Sequence, residues 1–267
     1  MSAFDSIILG VIQGLAEFLP ISSSGHLIIA RDLFGWHGST DLAFDAVLQL
    51  ATIMAVIFYF WKDILHLIKS FFLMISGKKI EKTDKNMLGA IILGTIPAII
   101  IGMTIEEHME TTFRSAFLVC IVLIIGSGLM LLAEKFAKQN KELNIKKGIA
   151  IGFFQCLALI PGFSRSGATI SGGLLLGLKR EDAARFSFLL SIPIIFGSGL
   201  KKFLEIIQTG GFATDNLNLF FGSLTAFVVG IFAIEFLMRF LKKYPLNIFI
   251  YYRVILATVV MSILLFR

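Results

Sequence analysis

The chain has 267 residues, is 57% hydrophobic and only 16% charged. Soluble domains carry about a quarter charged residues, so this composition excludes a soluble globular enzyme and points to a polytopic helical membrane protein. The net charge of +6 reads as basic loops that set topology, not as a nucleic-acid surface.

In chain order, the first apolar run follows Asp5 without a basic n-region, so no cleaved signal peptide is expected. It is interrupted by QGLAEFLPISSSG at 13–25, then by a loop at Arg31–Asp41. Leu42–Phe60 is the first run long enough to span. The stretch 61–86 carries Lys62, Lys69, Lys78, Lys79, Lys82 and Lys85, and reads as a cytoplasmic loop. Met87–Thr104 spans next and leads to an acidic outer loop with Glu106, Glu107, His108 and Glu110, where Arg114 is basic. Ala116–Ala133 spans back to lysine-rich 134–147, again cytoplasmic. Cys120 and Cys156 lie in apolar stretches and read as small buried hydrophobes, neither a disulfide nor a metal pair.

The second half opens on QCLALIPGFSRSG at 155–167. Lys179, Arg180 and Arg185 follow on what reads as the cytoplasmic side, so 148–185 enters and returns as a re-entrant hairpin. Phe186–Leu200 is a short apolar segment containing Pro193, followed by a linker at 201–218 placed outside, with Lys201 and Lys202 snorkelling from the helix end. Leu219–Leu237, the basic loop 239–247 and Ile248–Phe266 complete the chain.

The two phrases align at one offset, 155 − 13 = 142, which also pairs Gly10 with Gly152, Ser22 with Ser164, Ser24 with Ser166 and Gly25 with Gly167. Three crossings separate them, so the halves are expected to be inverted. The fold class expected is therefore an all-α transmembrane bundle in one integral membrane domain, 1–267. It comprises two inverted repeats, 1–134 and 148–267, about six full spans and two re-entrant helix hairpins whose breaks meet near mid-membrane. Irregular backbone is tolerated at that depth only where it is buried or lines a wet cavity.

The breaks differ in chemistry. The first holds Glu17, Ser23 and His26 where the second has Leu159, Arg165 and Ala168. An intramembrane carboxylate is costly and reads as functional. Ser22-Ser23-Ser24-Gly25 opens a helix, whose N-terminus presents free N–H groups to an anion. Arg165 carries a planar fork suited to phosphate, and Ser164, Ser166 and Thr169 add hydroxyls. An internal Arg165–Glu17 ion pair is the competing reading, and also a resting state for an active site. Together these groups point to phosphoryl transfer. Ser23 is a candidate nucleophile with His26 one turn away as proton acceptor and donor; His26 is the other candidate nucleophile. Glu17 either binds a divalent ion or orients the histidine. Asp45 and Gln49 fit the outer mouth or a helix end, and Glu235 and Arg239 a structural i, i+4 pair.

QGLAEFLPISSSGHL resembles the first signature of the undecaprenyl-diphosphate phosphatase family (the bacitracin-resistance phosphatases), and PGFSRSGAT resembles its second. The resemblance covers essentially the whole chain in length, motif order and span pattern. It implies a bacterial inner-membrane enzyme that hydrolyses undecaprenyl diphosphate to undecaprenyl phosphate and inorganic phosphate. This recycles the carrier lipid for peptidoglycan synthesis and confers bacitracin resistance. The family's functional positions fall on Gln13, Glu17, Ser23, His26, Ser164, Arg165 and Thr169; Ser22, Ser24, Gly25 and Ser166 complete the expected binding set. The resemblance also implies an active site open to the outer face and a divalent cation, Mg²⁺ or Ca²⁺, with Glu17 its expected ligand. Position 13 is the non-ionised option, which leaves Glu17 the sole acid of the motif. Expected partners are a polyprenyl diphosphate lipid and the bilayer, with no nucleic acid and with a homodimer as the candidate assembly. A transporter or flippase is the alternative function, and a structural membrane subunit the third. The Ser23–His26 pair, present in one repeat only, favours the enzyme.

Overall fold

The computed structural model describes residues 2–36, 41–110, 113, 115–208 and 216–266. All the regular structure among them is helical: α1 (Ala3–Phe18), α2 (Ser23–Phe34), α3 (Asp41–Tyr59), α4 (Trp61–Ile75), α5 (Lys82–Glu110), α6 (Ala116–Phe136), α7 (Ile145–Leu157), α8 (Arg165–Leu175), α9 (Arg180–Gln208), α10 (Asn216–Leu241) and α11 (Asn247–Leu265). Six of these, α3, α5, α6, α9, α10 and α11, are long and apolar enough to cross a membrane. The chain is a multi-pass membrane protein.

The helices at the two sequence breaks are shorter. α1 has 16 residues, α2 12, α7 13 and α8 11. At 1.5 Å per residue even the longest reaches only about 24 Å, short of a hydrocarbon core of about 30 Å. α1 and α7 each dock on a long helix from the other half of the chain, α1 on α10 and α7 on α5. Small residues make both contacts close: a Cβ on Gly10 would strike the Gly222 carbonyl, and one on Gly152 the Gly94 carbonyl. Close backbone approach is the main source of helix association in lipid, where no hydrophobic force draws helices together. Among the described residues the largest buried apolar cluster, including Phe18, Phe60, Phe186 and Phe188, joins α1, α3 and α5 through α11.

Three expectations change at the boundaries. The 61–86 loop contains α4, whose exposed Trp61, Leu65, Ile68, Phe72 and Ile75 form one stripe; their spacing is helical, and the lysine count hid it. The acidic outer loop begins as helix, because α5 runs to Glu110, and the 201–218 linker begins only after Gln208. His37, Arg114, residues 209–215 and the side chains at 106–110 lie outside the described residues.

Ion pairs secure the two ends of the bundle. Beside the lysine-rich segments, Glu134 accepts from Arg180 Nε at 3.0 Å and from the Leu246 N–H at 2.8 Å, tying α6, α9 and the start of α11 together. Arg185 reaches Asp63 of α4 at 2.6 Å. Ser70 of α4 donates to Asp84 of α5 at 2.7 Å. At the opposite end Arg31, 2% exposed, pairs with Asp45 at 2.7 Å and so anchors α2 on α3. Glu235 and Arg239 form the expected i, i+4 pair, and Glu235 also accepts from the Tyr59 hydroxyl.

Candidate functional site

Each break is built the same way. Pro20 stops α1 and Pro161 follows the end of α7, since proline supplies no N–H to continue a helix. The serine that caps the next helix then takes a backbone conformation rare for any residue but glycine: Ser22 at φ 79°, ψ 99° and Ser164 at φ 76°, ψ 117°. Such strain costs about 1–3 kcal/mol per residue and persists only where the surroundings impose it. Each serine Oγ accepts from the N–H three residues on, Gly25 at 3.3 Å and Gly167 at 3.1 Å. Capping leaves the first amides of α2 and α8 without intrahelical partners, two anion-seeking helix ends in one region.

The breaks touch. Ser166 Oγ donates to the Leu19 carbonyl at 3.2 Å. Arg165 Nη2 donates to Glu17 Oε1 at 3.1 Å, while its Nη1 holds the Ser187 carbonyl at 3.1 Å. Arg165 Nε has no partner among the described residues. The other oxygen of Glu17 accepts from Ser23 Oγ at 2.7 Å and from Gln13 Nε2 at 3.1 Å. A cavity of about 550 Å³ opens beside this cluster, and Glu17, Ser22, Ser23, Ser24, Ser164 and Arg165 all stand in its wall. Apolar side chains of α5 and α9, among them Ile99, Met103 and Ile194, form much of the remainder. The cavity extends along α9 to Lys201 and Lys202.

The family model of bacitracin resistance protein BacA matches residues 6–259. The chain belongs to this family. It is similar to three relatives named undecaprenyl-diphosphatase: 41% identical over 100% of both chains to that of Desulforudis audaxviator, 43% over 99% of this chain and 98% of that of Thermodesulfovibrio yellowstonii, and 42% over 99% and 90% for Myxococcus xanthus.

Within this BacA-family chain several residues expected at the site stand behind its wall. Gln13, fully buried, holds Glu17 and approaches Thr52 at 3.5 Å. Thr169 Oγ1 shares a 2.6 Å hydrogen bond with Ser187 Oγ and donates to the Arg165 carbonyl at 2.7 Å, so it fixes the backbone that carries Arg165. Gly25 and Ser166 lie in the capping turns. His26 sits one turn from Ser23 in sequence but does not meet it. Its Nδ1 lies 2.7 Å from the Ser22 carbonyl and its Nε2 2.8 Å from the Tyr252 hydroxyl. A carbonyl only accepts, so Nδ1 carries the proton, and in the neutral ring Nε2 accepts from Tyr252. The side chain that accepts the hydrogen bond of Ser23 Oγ is instead Glu17.

Sequence reasoning missed Tyr252 and its neighbour Arg253. Arg253 is fully buried on α11. Its guanidinium donates to the carbonyls of Pro20 (3.2 Å), Phe163 (3.0 Å), Gly162 (3.0 Å) and Leu123 (3.1 Å), and to Ser127 Oγ (3.1 Å). It thus pins both breaks to α6. Gly126 makes room for it: a Cβ there would strike Nη2. An arginine inside the apolar run 248–266 was itself the available signal, since intramembrane charge is functional by default.

Among the described residues no three His, Cys, Asp or Glu side chains cluster as a metal cage. Glu17 is the one carboxylate among the wall residues, beside serine hydroxyls and the amides of Gln49 and Gln155. That set suits a hard cation that keeps waters and is shared with a phosphate-bearing ligand, the usual manner of Mg²⁺.

Proposed function

We propose that this cavity hydrolyses undecaprenyl diphosphate to undecaprenyl phosphate and inorganic phosphate, as the names of the relatives indicate for them. Such an enzyme recycles the carrier lipid of cell-wall synthesis in the bacterial inner membrane, and its activity confers bacitracin resistance. The single observation that carries the reading on this chain is the Ser23–Glu17–Arg165 chain of contacts in the wall of one cavity. It unites a hydroxyl, the carboxylate that accepts from it and a guanidinium.

In this reading the terminal phosphate binds at the amide ends of α2 and α8, with the free edge of Arg165 on its oxygens. Ser23 Oγ attacks phosphorus and its proton passes to Glu17. The bond to the bridging oxygen breaks, and the electron pair leaves with undecaprenyl phosphate. Glu17 gives that proton to the departing phosphate oxygen and is again a carboxylate. Water then bonds to phosphorus and gives its proton to Glu17 as the bond from phosphorus to Ser23 Oγ breaks. Oγ takes the proton back from Glu17, and inorganic phosphate leaves. Gln13 holds Glu17 in place. Glu17 would also hold a divalent cation brought by the diphosphate; when bound, that ion neutralises phosphate charge.

The architecture we propose is two inverted repeats, 1–134 and 148–267, with α1–α2 and α7–α8 as re-entrant hairpins. The short helices, the matched geometry of Ser22 and Ser164, and the exchanged packing of α1 on α10 and α7 on α5 support it. The lysine-rich end is cytoplasmic by charge bias. The cavity reaches Leu42 and Lys201 at the opposite end, which supports an opening to the outer face.

The test is phosphate release from undecaprenyl diphosphate by purified protein in detergent, followed by acid quenching to trap phosphate on Ser23. Release by wild type, with label on Ser23 and none on Ser23→Ala, is the expected result. Lipid binding without release would move the chain to the transport reading.

A further inference from the structure

Gln13 and Gln155 occupy the same place in the two phrases, yet their amides are used differently. Gln13 Nε2 donates to Glu17, four residues on along the same helix. The residue four after Gln155 is Leu159, which offers no acceptor. Gln155 is 3% exposed, and neither its Nε2 nor its Oε1 has a hydrogen-bond partner among the described residues. It stands in the cavity wall together with Leu159 and Arg165.

A buried amide left unmade costs about 1–3 kcal/mol, which a methionine or leucine at the same place would not carry. The group is therefore poised for something that enters the cavity. What enters is set by the other unmade donors there. Arg165 Nε has no partner among the described residues, and the first amides of α2 and α8 have none within their helices. Gln155, Arg165 and the first turns of both helices all contribute to the wall of one cavity, a set of donors that suits an anion with several oxygens.

We propose that Gln155 is a substrate-binding residue whose Nε2 donates to a non-bridging phosphate oxygen of the lipid diphosphate. The proposal rests on the hydrolase reading above and adds a contact that the motif serines and arginine do not include. The repeat explains its origin. One copy has a carboxylate that holds its glutamine, and the other has Leu159 there and leaves its glutamine to the ligand. An amide suits the position because glutamate would present only acceptors to an anion.

The test uses full-length protein in detergent with undecaprenyl diphosphate, comparing wild type, Gln155→Met and Gln155→Glu. Gln155→Met keeps length and removes both polar atoms. We expect its KM to rise about tenfold or more, the worth of one hydrogen bond to a charged group. Its melting temperature without substrate should be equal to or above that of wild type, because an unmade buried amide has been removed. Gln155→Glu should raise KM further. A KM within about twofold of wild type in both variants, or a loss that only follows a falling melting temperature, overturns the proposal. Failure of wild type to release phosphate would sink the hydrolase reading alone. The rise in melting temperature given by undecaprenyl diphosphate, present in wild type and lost in Gln155→Met, would still decide the role of Gln155.

Discussion

Ser23 and Glu17 lie on opposite sides of a helix break, six residues apart, and share a 2.7 Å hydrogen bond from hydroxyl to carboxylate. That bond gives the proton of the proposed nucleophile a destination. Ser23→Ala and Glu17→Gln should each lower kcat by about 10²–10⁴, the usual worth of a positioned acid–base or nucleophilic group. Single-turnover phosphate release checks this, and retention of kcat in either variant would sink the pairing.

In the proposed reaction Arg165 compensates phosphate charge through a planar fork. Arg165→Ala should cost about 10²–10³ in kcat/KM. Arg165→Lys should recover only a small part, since a point charge does not reproduce two parallel donors. Steady-state kinetics on both variants decide it, and near-normal activity with lysine would rule out bidentate recognition.

His26 faces Tyr252 and not Ser23. Its loss should therefore do less harm than the loss of Glu17. His26→Ala and Tyr252→Phe should each reduce kcat by at most about tenfold, with no further loss on combining them, because one contact joins them. A double-variant cycle measures this. Abolished activity in His26→Ala, with folding intact, would return the histidine to the centre of the chemistry.

The Arg253 guanidinium satisfies carbonyls of both breaks. Arg253→Met would leave buried acceptors without donors, at about 1–3 kcal/mol each. We expect a lower melting temperature in detergent and loss of turnover, and a similar outcome for Gly126→Ala, whose new methyl meets the guanidinium. Unchanged thermal unfolding in Arg253→Met would show that other contacts hold the breaks together.

With one carboxylate in the cavity wall, the protein alone should bind Mg²⁺ weakly, and affinity should appear only with the diphosphate present. Chelator should then suppress phosphate release, while calorimetry of the substrate-free protein shows no tight site. Tight binding without substrate would require a ligand set beyond Glu17.

Much of the site was legible because polar residues in lipid are conspicuous. Glu17, Ser22, Ser23, Ser24, Ser164 and Arg165 interrupt apolar runs, and all of them stand in the wall of one cavity, whereas Ser166 lies behind it. Rotation about the helix was less legible. Three residues on from Ser23, His26 should share its face, yet the turn at Ser22 aims the ring at α11. Gln155 was visible as a repeat of Gln13, but its freedom depends on what Leu159 lacks. Arg253 makes its contacts with residues 90 or more positions away, a distance no local pattern spans. The span count was readable from length and apolarity, whereas α4 was concealed by the lysines around its apolar stripe.

The exchanged docking of α1 on α10, with Arg253 as the last tie between the breaks, also dictates an order of assembly. A nascent chain released after residue 240 would already carry both signature phrases and every proposed catalytic group. It would still lack the guanidinium that holds Pro20 and Gly162 together. Synthesis must therefore be almost complete before the first-made helix finds its final seat, and the membrane is spared a half-built phosphatase.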